Sequence, residues 1–140
     1  MSSLEEIRRA AFTAFPISST FLFFDQALTV LHSHECSPTH QELVTLRDAF
    51  GERDAAIQRG MHLAGRRFEI HRHHPPLVYG RQMVDTDPEE GPGIAACKIE
   101  SSVLGTPCYA VLTYQLPDTS SKMVTLLRDF CQRHIHVHPS

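Results

Sequence analysis

The stretch that decides the fold runs from Ser37 to Leu77, SPTHQELVTLRDAFGERDAAIQRGMHLAGRRFEIHRHHPPL. Ser37 before Pro38 is a helix start, because a proline at the first helical position gives up only an amide that would have no partner there. Leu43, Val44, Leu46 and Phe50 then supply a helical apolar stripe. A short acidic and polar link leads to a Gly-x-x-x-x-Gly turn at Gly60 and Gly65. Past Gly60 the period changes from helical to two. Met61, Leu63, Phe68 and Ile70 alternate with His62, Arg67, Glu69 and His71, the pattern of strands with one wet face. Pro75 and Pro76 break that run.

Toward the N-terminus, Ser3 is a candidate N-cap. Leu4, Ile7, Ala11 and Phe15 mark an amphipathic helix with Glu5 and Glu6 in its first turn and Pro16 at its stop. TFLFFDQALTVLH (Thr20 to His32) reads as a hairpin of two β-rich runs around Asp25 and Gln26, although neither turn residue is glycine. Toward the C-terminus, LVYGRQM (Leu77 to Met83) is a further strand, and the acidic, Gly/Pro-rich stretch from Asp85 to Gly93 is an exposed connection. IAACKIE (Ile94 to Glu100) and CYAVLTY (Cys108 to Tyr114) are apolar strands, the second the more continuous and hence central. Pro117, Asp118 and Thr119 open a last helix with Met123, Leu126, Leu127, Phe130 and Cys131 on one stripe. With no internal repeat and no dividing linker, residues 1–140 are expected to form a single α+β domain, a mostly antiparallel sheet against which amphipathic helices bury their stripes.

Composition narrows the function classes. A chain of 140 residues, 41% hydrophobic, builds one core that buries roughly two thirds of the unfolded surface. The net charge of -3, from 13 Lys plus Arg against 16 Asp plus Glu, gives no global field for nucleic acid. Cys36, Cys97, Cys108 and Cys131 form no C-x-x-C pair, and two of them sit in apolar runs as small hydrophobes, which suits a reduced, intracellular setting. MSSLEEIRRA is charged, with no apolar segment of signal-peptide length, and no run approaches the ~20 residues of a membrane span. A soluble, cytoplasmic protein is expected.

No constellation of catalytic residues stands out. Ten histidines invite a metal reading, above all His71, His73 and His74 with His134, His136 and His138 at the tail. Zinc needs four ligands in fixed geometry, and nothing in the spacing brings a second ligand pair to His71 and His73. Surface histidines beside a turn and a tail are the expectation, with no metal. Cys108 or Cys131 could pair with a histidine as a nucleophile, but both lie in apolar runs where thiols pack and stay inert. GERDAAIQRG lacks a Gly-Lys-Ser/Thr ending and leads into a strand, so it is no phosphate loop. The expectation is a binding protein without enzymatic activity or cofactor.

The order of helix, link, Gly-x-x-x-x-Gly turn and strand, continued by LVYGRQM, CYAVLTYQLPD (Cys108 to Asp118) and a helix ending in LLRDFCQRHI (Leu126 to Ile135), resembles the profilins. That resemblance implies terminal helices side by side on one sheet face and the remaining helix on the other. It also implies an actin-monomer-binding protein that regulates filament assembly. Carried over by position, the actin face comprises Arg67, Glu69, Ile70, Arg72, Arg81, Ser121, Lys122 and Thr125. Guanidinium forks there can pair bidentately with carboxylates. Glu69 departs from the pattern with a negative charge, and a solvated strand face with cross-strand charge pairs explains the same residues equally well.

The family's polyproline groove would fall on Leu4, Ile7, Phe130 and His134. With no tryptophan in the chain, aliphatic Leu4 and Ile7 where profilins show aromatics, and no hydroxyl on Phe130, proline-rich ligands are expected to bind weakly or not at all. A helix-helix seam accounts for those residues. Two further readings stay open. One is a non-actin scaffold module in a ciliary or other cytoskeletal assembly. The other is phosphoinositide contact through Arg66, Arg67, His71, Arg72, His73 and His74, which would strengthen as the histidines charge below about pH 6.5.

Overall fold

The computed structural model describes residues 4–16, 19–82, 91–115 and 118–137. Ser3, Met83, residues 85–90 of the acidic connection, Pro117 and His138 lie outside the described residues. The chain order is α1 (Leu4–Ala14), β1 (Thr20–Asp25), β2 (Val30–His34), α2 (His40–Asp48), α3 (Arg53–Arg59), β3 (Met61–Leu63), β4 (Arg66–His74), β5 (Leu77–Arg81), β6 (Gly93–Ile99), β7 (Cys108–Tyr114) and α4 (Ser120–Phe130), which continues into a wider π-helical turn over Cys131–Ile135.

Seven strands form one antiparallel sheet in the order β2-β1-β7-β6-β5-β4-β3. Alternation along each strand sends side chains to two separate cores. Phe21, Phe23, Ala95, Cys97, Ala110 and Leu112 meet α1 and α4 on one face. Leu22, Phe24, Ile94, Ala96, Val111 and Val78 meet α2 and α3 on the other. Strand β7 is interior, flanked by β1 and β6, and β6 is the middle strand of the seven. Both are buried on both faces, which is why their sequences read as continuous apolar runs without alternation.

The β1–β2 hairpin forms as predicted, but its turn is longer. Asp25 ends β1 and its carboxylate accepts from the amides of Ala27 and Thr29, both at 3.0 Å, while Leu28 takes φ +66°. The aspartate thus supplies the turn chemistry that glycine would otherwise provide. Tyr109 stacks on Phe24 with ring centroids 5.1 Å apart, and its hydroxyl donates to Oε1 of Gln26 at 2.6 Å, fixing the turn against the core.

Three expectations in the Ser37 to Leu77 stretch are corrected. The N-cap of α2 is Thr39, not Ser37, because Thr39 and Glu42 form a reciprocal capping box: Glu42 N–H donates to Thr39 Oγ1 at 3.1 Å and Thr39 N–H to Glu42 Oε1 at 3.0 Å. The link GERDAAIQRG contains α3, since the Glu52 carboxylate caps the amides of Asp54 and Ala55 and Ala56 buries against the sheet. The Gly-x-x-x-x-Gly segment is not one turn. Gly60 ends α3, β3 follows, and Ala64 and Gly65, at φ +56° and +75°, make the two-residue reversal into β4.

Helix α2 turns polar groups toward the edge strand. Glu42 Oε2 accepts from Gly65 N–H at 2.8 Å, and Thr45 Oγ1 accepts from His62 N–H at 3.0 Å. These bonds satisfy an amide of the edge strand β3 and one of the β3–β4 turn. Glu42 therefore serves both the helix start and the turn that aims β4. Glu42→Ala is expected to destabilise the domain by about 2 kcal/mol, since it removes half of a capping box and a charge-assisted bond to the β3–β4 turn. The check is the urea midpoint; a loss below about 0.5 kcal/mol would show the tether to be idle.

Candidate binding face

The α1–α4 layer packs over β1, β7 and β6, and α2 and α3 cover β3 and β4 from the other side. The α4-side face of β4 is left open, and on β5 Leu77 and Tyr79 lie half-buried at the margin of the α1/α4 core. Strand pairing sets what stands on it. Glu69 faces Arg81, Arg72 faces Tyr79, and His74 faces Leu77. Between Ile70 and Arg72 the register shifts, so His71 is the extra residue of a β-bulge. Gly80 lies under that bulge: a Cβ there would come within 1.7 Å of the Glu69 carbonyl oxygen. Glycine is thus required where the two backbones approach.

The residues expected to contact actin do not form one uniform set. Ile70 is 6% exposed and sits in the α2/α3 core, because it shares the parity of Phe68, opposite to Glu69. It offers no side-chain surface. Arg67 is exposed, but its guanidinium closes the C-terminal end of α3, donating to the carbonyls of Gln58 at 2.8 Å and Arg59 at 3.3 Å while pairing with Glu69. The negative charge of Glu69 is therefore answered within the strand. Arg81 is half-buried and ties the sheet to α4: it donates to the Gly91 carbonyl and, at 3.3 Å, to Ser120 Oγ. Ser120 Oγ also accepts from the Tyr114 hydroxyl at 3.0 Å, and burial pushes the Tyr114 phenol up from its ordinary value.

Arg72 differs. It is exposed and, among the described residues, has no hydrogen-bond or ion-pair partner. Ser121, Lys122 and Thr125 are exposed on the first turns of α4, with Lys122 Nζ 3.3 Å from Asp118. The open sheet face and the start of α4 are joined by the Arg81–Ser120–Tyr114 contacts.

The residues assigned to a polyproline groove are closed in. Ile7 and Phe130 are 1% and 4% exposed, and Phe130 packs against Phe15 at 4.9 Å and Phe21 at 5.7 Å between ring centroids. Leu4 is half-buried against the same core, and His134 lies on Phe130 at 4.9 Å. The exposed ring is one that sequence reasoning passed over. Phe12, 74% exposed, stands edge-on to His34 at 6.4 Å over a cavity of about 60 Å³ between α1 and β2. Its signal was an aromatic off the Leu4, Ile7, Ala11, Phe15 stripe.

The six residues of the lipid reading are divided by the sheet. Arg66 shares the α2/α3 side and donates to Gln82 Oε1 at 2.9 Å, and His73 meets the Ala49 carbonyl at 2.9 Å on that side. Arg72 and His74 stand on the opposite face, and Arg67 is engaged at α3. Among the described residues no cluster of three or more metal-ligating side chains gathers. No helix of the described residues is long and apolar enough to cross a membrane.

These observations define an α+β domain with helices on both sheet faces and a charged strand face left open at one end. At the level of sequence, neither a protein-family pattern nor any curated protein matches the chain. Solved structures do. The profilin of Schizosaccharomyces pombe superposes with a TM-score of 0.66 at 16% identity, over 81% of this chain and 82% of that one. Acanthamoeba castellanii profilin II gives 0.65 at 14% identity, over the same shares. LokiProfilin1, solved in complex with rabbit actin, gives 0.70 at 9% identity over 95% of this chain and 96% of that one. The chain has the profilin fold.

Two histidines beside the α1–α4 layer, His32 on β2 and His134 after α4, sit in surroundings that disfavour their charged form. Burial holds the His32 imidazole below its ordinary value, helped by the charges of Arg8 and His34, and burial together with Arg133 does the same for His134. A lowered folded-state value means that the unfolded chain binds more protons below pH 6.5. Their stability contribution is thus fully present above that pH and is lost as pH falls through the window beneath it. A double variant, His32→Asn with His134→Gln, is expected to show a shallower decline of the urea midpoint between neutral pH and about pH 5 than the parent chain. Equal slopes would disprove the assignment.

Proposed function

We propose that the chain binds monomeric actin through the open face of β4 and β5 and the first turns of α4, and so acts in the control of filament assembly. The observation that carries the reading is Arg72. Among the described residues it is a guanidinium without an internal partner on the open sheet face, available for a bidentate bond to a carboxylate of the docking protein. Lys122, Ser121 and Thr125 extend the same face onto α4. Arg81 and Arg67 serve it indirectly, the first by fixing α4 to the sheet and the second by neutralising Glu69. The superposition with a profilin solved on actin supports the choice of partner over another cytoskeletal protein. Phosphoinositide contact gains little support from cations divided between two sheet faces. Proline-rich ligands are expected to find no aromatic floor, since Phe130 is enclosed.

The test is the affinity of the purified chain for monomeric actin at low and moderate salt. Binding is expected to weaken with salt, and Arg72→Glu is expected to weaken it by at least about tenfold, a change of about 1.4 kcal/mol, without altering the far-ultraviolet spectrum. A folded chain that fails to bind actin would overturn the reading and leave the non-actin scaffold role, to be pursued by co-purification.

A further inference from the structure

Two of the four thiols meet at a cleft outside the proposed binding face. Cys97 is on β6, turned toward the α1/α4 core between Ala95 and Ile99, and Cys131 opens the π-helical turn at the end of α4. Both line a cavity of about 400 Å³ whose walls also include Pro76, Lys98, Arg128 and Gln132. Arg128 and Gln132 are exposed, so the cavity reaches the surface. The two cysteines thus come together at the sheet-helix seam, in the wall of one cavity and the same core cluster.

We propose that Cys97 and Cys131 form an oxidisable dithiol, a modification site at which hydrogen peroxide or a related small peroxide converts the pair to a disulfide linking β6 to the C-terminal helical turn. The neighbouring Cys131 thiol favours the thiolate at Cys97 and holds that thiol below its ordinary value, while burial pushes Cys131 up. Cys97 is therefore the attacking sulfur. Its thiolate displaces hydroxide from peroxide, breaking the O–O bond and forming a sulfenic acid, and the hydroxide takes up the proton that the thiol released. The Cys131 sulfur then attacks the sulfenic sulfur, the S–S bond forms, the S–O bond breaks, and the thiol proton leaves with the hydroxyl as water. Each sulfur gives up one electron, and one peroxide becomes two waters.

The remaining thiols lack this arrangement. Burial raises Cys36 to about 11, and Cys108 is raised by burial and held by Ser102 and Thr106. The sequence expectation of an inert packing thiol at Cys131 considered each cysteine alone, whereas the seam brings two together.

The experiment treats the full, folded chain with hydrogen peroxide and follows free-thiol content, intact mass and peptide maps with and without dithiothreitol. The expected result is the loss of two of the four thiols and of two hydrogens in mass, with a Cys97–Cys131 cross-linked peptide that the reductant removes. A Cys36→Ser/Cys108→Ser variant is expected to keep this behaviour. Cys131→Ser is expected to stop at a sulfenic acid on Cys97, trapped by a cyclic 1,3-dione. Peroxide treatment that leaves both cysteines reduced while circular dichroism shows the chain folded, or that joins other pairs, would overturn the proposal.

Discussion

Strands β6 and β7 leave water on both faces at once, and the rest of the chain is arranged to make that possible. A two-faced apolar sheet cannot be stable alone; each face needs a layer of helix. Fully burying one aliphatic or aromatic side chain is worth roughly 1.5–3 kcal/mol, and these two strands carry many such residues. Helices α1 and α4 cover one face and α2 with α3 the other, so elements from both chain ends and the middle must converge on the same two strands.

The layers are not equally wide, and this leaves a working surface. On the α4 side the terminal helices stop over β6, so β4 presents charged residues to solvent on that face while Leu77 and Tyr79 of β5 pack at the margin of the α1/α4 core, and both strands turn apolar residues to α2 and α3 on the other. Most of the charges are then consumed internally. Arg67 closes α3 and pairs with Glu69, and Arg81 binds Ser120. What remains open for a partner is set by which cations the fold does not itself require, and Arg72 is such a cation. The same seam that seats α4 on β6 also places Cys97 and Cys131 in the wall of one cavity.

Much of the fold was legible because its signals are local. The stripe of α1, the alternation after Gly60 and the continuous run of β7 each report burial through a period that the chain displays directly. The errors cluster where a single side chain redirected the backbone. Thr39 with Glu42 outcompeted Ser37 as a cap, and Glu52 nucleated α3 in a segment whose polarity suggested a link. Ile70 was assigned to the surface by position in a resemblance, although the alternation with Phe68 already marked it as buried.

The sequence by itself determined the terminal helices, the first hairpin and the burial of the central strands, because each follows from local period and composition. Tertiary structure alone decided which arginines are available, where Phe12 emerges and that two distant thiols line one cavity. Those outcomes depend on contacts between residues far apart in the chain, such as Arg81 with Ser120, and a pairwise geometry of that kind leaves no periodic trace in the sequence.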